Sequence, residues 1–213
     1  MIPGKAEYVN INPNLDILSD LYNAIDTEFN TFGKTQWVSY SLEDNKTGII
    51  TKYEKLFEPI LSIHRKVHPH MQRRSTGFNT ANSTEKDLFA HTDVDYDLEH
   101  PNYYNLIIPL FGDSVIEYFE TREEEVWLPE KNAHGYAYYH EFYMRNKPGY
   151  EEFLQERKIG EIKVTGPLLL ETNTMHRVLV TKSPRCAWCT RWNNIPADQD
   201  FYSWKERVET ILR

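Results

Sequence analysis

Cysteine is scarce: only Cys186 and Cys189 occur in 213 residues, which excludes a disulfide scaffold. Their C-x-x-C spacing suggests redox or zinc chemistry, but CAWCTRW reads as a strand, where residues three apart point to opposite faces. The two thiols are therefore not expected to meet. Long apolar runs are also missing. No stretch approaches the roughly 18 apolar residues of a membrane span, and the opening MIPGKAEYVNINPN has no apolar signal core. A cytoplasmic protein without a membrane partner is the expectation. Basic excess is lacking too. A formal charge of -8 argues against a dedicated nucleic-acid binder, because phosphates are met by clustered Lys and Arg. The most basic stretch, HRKVHPHMQRR at 64–74, reads as a solvated helix end and loop. Within it, Arg73 and Arg74 are candidate contacts for an anionic substrate. His68 and His70 are a weaker candidate for a second metal pair.

Apolar material is abundant. The chain is 40% hydrophobic and carries 5 Trp, 14 Tyr and 10 Phe, enough for one core in a single domain spanning 1–213. Leu15, Leu18, Tyr22, Ile25 and Phe29 recur at helical steps behind Asn14, a suitable cap. Tyr53, Leu56, Phe57, Ile60, His64 and Val67 predict a second helix over 52–67, kinked or begun at Pro59. Phe201, Trp204, Val208, Ile211 and Leu212, with Asp200 as N-cap, predict a third. Between them the period falls to two in about eight short runs: TGFNTAN, DLFAHTD, YYNLIIPLFG, SVIEYFE, GEIKV, PLLLETN, HRVLVT and RCAWCTRW. This predicts a mainly β chain with flanking helices (α+β), a sandwich or barrel, jelly roll included. The expected layout is a helical N-terminal buttress over 1–70, a β core over 75–195 and a C-terminal helix over 200–213. The aromatic, charged stretch 121–160 fits no strand pattern and is read as a lid-like insertion or substrate wall.

One short stretch raises a chemical question. In HTDVD at 91–95, strand alternation puts His91 and Asp93 on one face, aimed at one point. His176, in ETNTMHRVLV, offers a third donor. Two imidazoles and one carboxylate form the facial triad typical of non-haem Fe(II). Asp95 and Asp97 are read as loop acids that compete with Asp93. His-x-Asp alone is weak, so the context matters. Arg185 lies nine residues after His176 and Arg191 six further, an even number, so both guanidinium groups share a face. Buried arginines need anions, and a dicarboxylate would satisfy both by bidentate hydrogen bonds. Trp127, Trp188, Tyr136, Tyr138 and Tyr139 could line a substrate pocket or serve as core.

His91-x-Asp93, His176 and a basic residue nine positions later resemble the pattern of the Fe(II)/2-oxoglutarate-dependent dioxygenases, over about residues 75–195. The His176–Arg185 spacing is similar to that of oxygen-sensing prolyl hydroxylases. The second arginine is similar to one in the nucleic-acid repair demethylases. The resemblance implies a double-stranded β-helix, a jelly-roll variant. It implies that His91, Asp93 and His176 bind Fe(II) and that Arg185 anchors the distal carboxylate of 2-oxoglutarate. Arg191 would take the other carboxylate or a substrate group. Asn105, with Tyr104 or Tyr103, would add inward cosubstrate contacts. Asp93 sets the chain apart from the halogenating members, which lack that carboxylate, and favours hydroxylation or oxidative demethylation. The expected reaction consumes O2 and releases succinate and CO2. The expected substrate is a small molecule, an amino-acid derivative or a peptide side chain, with the oligomeric state open. The contrasting readings are a cupin-like jelly roll that holds metal without turnover, and a nucleic-acid demethylase, which the acidic balance disfavours.

Overall fold

The computed structural model describes residues 1–29, 36–39, 49–69, 76–81, 90–93, 102–120 and 148–213. In chain order the elements are β1 (Ala6–Tyr8), α1 (Leu15–Phe29), β2 (Gln36–Ser39), α2 (Ile49–Val67), β3 (Thr76–Ala81), β4 (Asn102–Phe119), α3 (Tyr150–Arg157), β5 (Lys158–Lys163), β6 (Leu168–Glu171), β7 (His176–Ile195) and α4 (Phe201–Leu212). The seven strands form one antiparallel sheet in the order β1-β6-β4-β7-β3-β2, with β5 also paired to β4.

The helices follow their apolar stripes. Leu18, Leu21 and Ile25 of α1 are buried, and Asn14 Oδ1 accepts the Ile17 N–H at 3.1 Å. On α4, Phe201, Trp204 and Val208 are buried, and Asp200 accepts the Ser203 N–H at 2.8 Å. The second helix starts before Pro59 and runs through it, although proline removes one backbone donor. Phe57, Ile60, Leu61 and Val67 still pack inward. These three helices cover one face of the sheet. Tyr104, Leu106 and Ile108 of β4 meet them there, as do Cys186, Trp188 and Trp192 of β7. The alternate residues Ile107, Ala187 and Cys189 belong to a second cluster on the other face, with Ile116, Tyr118 and Leu170.

Strand pairing shows that the sheet is rolled. Glu171, at the end of β6, is paired with Tyr104, and His176, at the start of β7, is paired with Tyr118. A straight strand would hold Tyr104 and Tyr118 about 46 Å apart. The five chain steps from Glu171 to His176 reach at most about 18 Å. Adding one strand spacing of about 5 Å at each end does not close the gap, so β4 must turn back on itself. The turn lies where its register against β7 shifts, between Pro109 and Ser114. Gly112 sits there with φ +72°, and a Cβ at that position would lie 2.3 Å from the Pro184 carbonyl oxygen, so no side chain fits. A mostly antiparallel sheet with four helices among the described residues, rolled in this way, is consistent with a sandwich or jelly roll.

Several sequence expectations need correction. YYNLIIPLFG and SVIEYFE are one bent strand, and HRVLVT and RCAWCTRW are another that passes through Pro184, because bulges absorb the breaks read there as ends. The N-terminal 70 residues are not wholly helical: β1 and β2 join the two edges of the sheet. Of the 121–160 stretch, 121–147 lie outside the described residues, while 150–157 form α3 and β5 starts at Lys158. No helix among the described residues is long and apolar enough to cross a membrane.

Candidate metal centre

The connection between β6 and β7 organises the site. His91 forms a bridge to His176, each backbone N–H donating to the other's carbonyl at 2.8 Å. Two residues on, the Asp93 N–H donates to the Thr172 carbonyl at 2.9 Å. These bonds bring His91 and Asp93 together with His176, which is distant from them in sequence. The ligand atoms of His91, Asp93 and His176 all lie within 4.8 Å of one another. His91 Nε2 is 3.6 Å from one Asp93 carboxylate oxygen, and His176 Nε2 is 4.0 Å from the other. The imidazole centroids are 4.7 Å apart. Asp93 and His176 are buried, whereas the His91 side chain is 24% exposed and forms the open side.

The protonation states suit a cation. His176 Nδ1 lies 2.8 Å from the Thr174 carbonyl. That oxygen can only accept, so Nδ1 carries the hydrogen and Nε2 keeps its lone pair toward Asp93. Burial, then the neighbouring His91, draws the His176 pKa down to about 4, leaving a neutral donor at pH 7. Burial alone would raise the Asp93 pKa. Arg191, whose Nη2 lies 3.0 Å away, and then the two imidazoles outweigh burial and hold Asp93 below the usual carboxylate range. The neutral His176 imidazole, the His91 imidazole and one ionised carboxylate on one side of a point are a donor set for a divalent first-row transition metal.

Beyond the cluster, β7 continues with Arg191, Cys189, Ala187 and Arg185 on its non-helical face. The β3–β7 register runs without a shift from Thr190 to Arg185, so alternation along β7 places the two arginines on one face. Arg185 is 2% exposed. Among the described residues its guanidinium donates to the backbone carbonyl of Asn79 at 3.2 Å and to the Asn79 side-chain oxygen, and it meets no carboxylate. Asn105 stands opposite Arg191 in register, and its buried Oδ1 has no hydrogen-bond partner among the described residues. Such groups are costly to bury unmatched. An anion and a polar ligand atom would match them.

Tyr104 does not join them. Its ring stacks on Trp204 at 5.8 Å and its hydroxyl donates to the Gln199 carbonyl at 3.0 Å, so it faces the helices. Alternation leaves Tyr103 on the Asn105 side. Trp188 is likewise core, fully buried between Phe57 and Phe78, its Nε1 donating to Thr190 Oγ1 at 3.0 Å. His68 packs its ring against Trp204 at 5.7 Å in the helix layer. Cys186 and Cys189 are free thiols on opposite faces of β7, as the strand reading requires. His70, Arg73, Arg74, Asp95, Asp97, Trp127, Tyr136, Tyr138 and Tyr139 lie outside the described residues. The sequence reading missed Asn79, the partner of Arg185, although an asparagine one step from buried Phe78 in an apolar strand is a signal. It also missed Thr174, whose carbonyl meets His176 Nδ1, and Glu171, which accepts hydrogen bonds from Thr174.

No family model and no curated protein matches the chain. Among solved structures, it resembles HygX from Streptomyces hygroscopicus, crystallised with nickel and 2-oxoglutarate bound, with TM-score 0.50 and 12% identity over 87% of this chain and 80% of that one. The likeness is one of fold. A weaker similarity, TM-score 0.44 and 11% identity over 88% and 78% of the two chains, is to the epimerase SnoN in complex with Fe3+, α-ketoglutarate and nogalamycin RO.

Proposed function

We propose that the chain is a non-haem Fe(II)/2-oxoglutarate-dependent oxygenase on a double-stranded β-helix, hydroxylating a small molecule, an amino-acid derivative or a peptide side chain. One observation carries this reading. A His91–Asp93–His176 cluster, with Asp93 and His176 buried, lies at the start of a strand whose same interior side buries Arg185 without a carboxylate partner among the described residues. A metal would match the first and a dicarboxylate the second. HygX, a protein of like fold, was crystallised with both kinds of ligand.

His91, Asp93 and His176 would hold Fe(II) on one side and leave its other positions open. Arg185 would grip the distal carboxylate of 2-oxoglutarate by a bidentate contact. Arg191, already beside Asp93, would keep that ligand ionised and reach the second carboxylate or a substrate group. Asn105 would orient the keto acid from the neighbouring strand. Ala187, Cys189 and Ile107 would keep that side dry. When bound, iron and keto acid supply oxygen activation coupled to decarboxylation, yielding succinate and CO2.

Anaerobic addition of Fe(II) and 2-oxoglutarate should give the weak visible charge-transfer band of such a site, and His176→Ala should abolish it. An unchanged band in that variant removes His176 from the ligand set. Succinate should form only with Fe(II) and O2, and Arg185→Ala should raise the 2-oxoglutarate requirement about 100-fold, the scale for truncating one partner of a buried charge pair. An unaltered requirement moves the anchor to Arg191. Metal binding with no 2-oxoglutarate binding at all would mark a cupin-like protein, and salt-sensitive binding of single-stranded oligonucleotides would mark a nucleic-acid demethylase.

A further inference from the structure

Resting on the reading of His91, Asp93 and His176 as metal ligands, we infer that Glu171 is a positioning residue that sets the geometry of that centre without touching the metal. The carboxylate lies at the end of β6 and is 12% exposed. One oxygen accepts the backbone N–H groups of Asn173 at 2.7 Å and Thr174 at 3.2 Å. The other accepts the Thr174 hydroxyl at 2.7 Å and the Lys5 ammonium at 3.0 Å. The backbone of Glu171 is pinned as well: its N–H donates to the Lys5 carbonyl at 2.7 Å, and its carbonyl accepts the Tyr118 hydroxyl at 2.7 Å.

The turn held in this way supplies both carbonyls that aim the ligands. Thr172 O receives the Asp93 N–H at 2.9 Å, and Thr174 O receives the His176 Nδ1–H at 2.8 Å. The third ligand, His91, follows His176 through their two backbone bonds. Residues 172–175 form no strand or helix of their own, so nothing regular fixes where these carbonyls point. Bonds to Tyr103 tether the turn to β4, through Thr172 N–H and Asn173 Oδ1, but the amides of residues 173 and 174 are left to Glu171. Ligand orientation of this indirect kind is worth about 10- to 100-fold in metal affinity.

The test is a titration of metal-free protein with Co(II) alone, reading the dissociation constant and the visible band shape, with thermal unfolding of the same samples. Glu171→Ala should bind Co(II) about 10- to 100-fold more weakly per folded molecule and with an altered band. Glu171→Gln, which keeps an oxygen to accept the two amides, should recover most of the affinity. Thr174→Val, which removes only the hydroxyl donor, should lose a few-fold and serves if the alanine variant does not fold. A role in folding alone would lower the unfolding temperature and leave affinity and band unchanged in the folded fraction. Wild-type affinity and spectrum in Glu171→Ala, or no recovery in Glu171→Gln, overturns the inference. His176→Ala separates the two levels: if it binds Co(II) like the wild type, the metal centre itself is wrong.

Discussion

The two faces of β7 share one backbone and are filled in opposite ways. Toward the helices, Cys186, Trp188 and Trp192 interlock with Phe57, Phe78 and Trp204, and the buried groups are mostly carbon. On the other face the same strand carries Arg185 and Arg191, with Asp93 and His176 close to Arg191. Apolar packing stabilises a fold wherever it occurs. Buried charges stabilise only when matched, and removing one partner costs more than replacing both. The helical face of β7 is therefore where apolar packing dominates, and the other face is where buried polar groups sit beside a smaller apolar cluster.

The largest expected effect tests the first half of this contrast. Trp188→Ala should cost about 4 kcal/mol, as for other large aromatic truncations in packed cores, measured by denaturant unfolding of metal-free protein. The fraction that stays folded should bind Co(II) with unchanged affinity. A variant that keeps its stability, or loses metal affinity while folded, would show that the two faces are not separate in function.

The second prediction tests the other half. Arg185→Met keeps the bulk of the side chain and removes a charge that meets only Asn79 among the described residues. The metal-free protein should be as stable as the wild type or more so, while 2-oxoglutarate binding should weaken about 100-fold. Chemical denaturation with and without the keto acid reads both numbers. A marked loss of stability without ligand would mean that Arg185 is a structural residue.

Local alternation made part of this contrast readable in the sequence. It put His91 with Asp93 and Arg185 with Arg191, and it separated Cys186 from Cys189, because each of those inferences needs only the period of one strand. It failed for Tyr104, where the adjacent Tyr103 and Tyr104 are of one type and the pattern cannot say which turns inward. It could not see the rolled sheet, since the pairings of Glu171 with Tyr104 and of His176 with Tyr118 join segments far apart in the chain. The same holds for Lys5, which reaches Glu171 across 166 positions. β1 has three residues, too few to show a period, and α3 buries only Leu154 and Arg157, so no apolar stripe announces it.

The smallest expected effect compares one histidine from each face. His64, on α2, packs against Trp188 and Trp192, and its buried Nδ1 has no hydrogen-bond partner among the described residues. Burial lowers its pKa from 6.5 to about 4. His176 reaches about 4 as well, but its Nδ1–H is matched by Thr174 and its other nitrogen faces Asp93. In both cases the unfolded chain takes up a proton between pH 6.5 and about 4 that the folded chain refuses, so stability falls as pH falls through that window. The loss for a single such group is about 3 kcal/mol at most. His64→Leu should be at least as stable as the wild type at pH 7.5, since it removes an unmatched polar atom. Between pH 6.5 and 4.5 it should lose stability about half as steeply, because His176 keeps its share. Urea unfolding of metal-free protein across that range measures the slope. An unchanged slope would mean that His64 is not held neutral among the tryptophans, and the helical face would then carry less of the acid sensitivity than its packing implies.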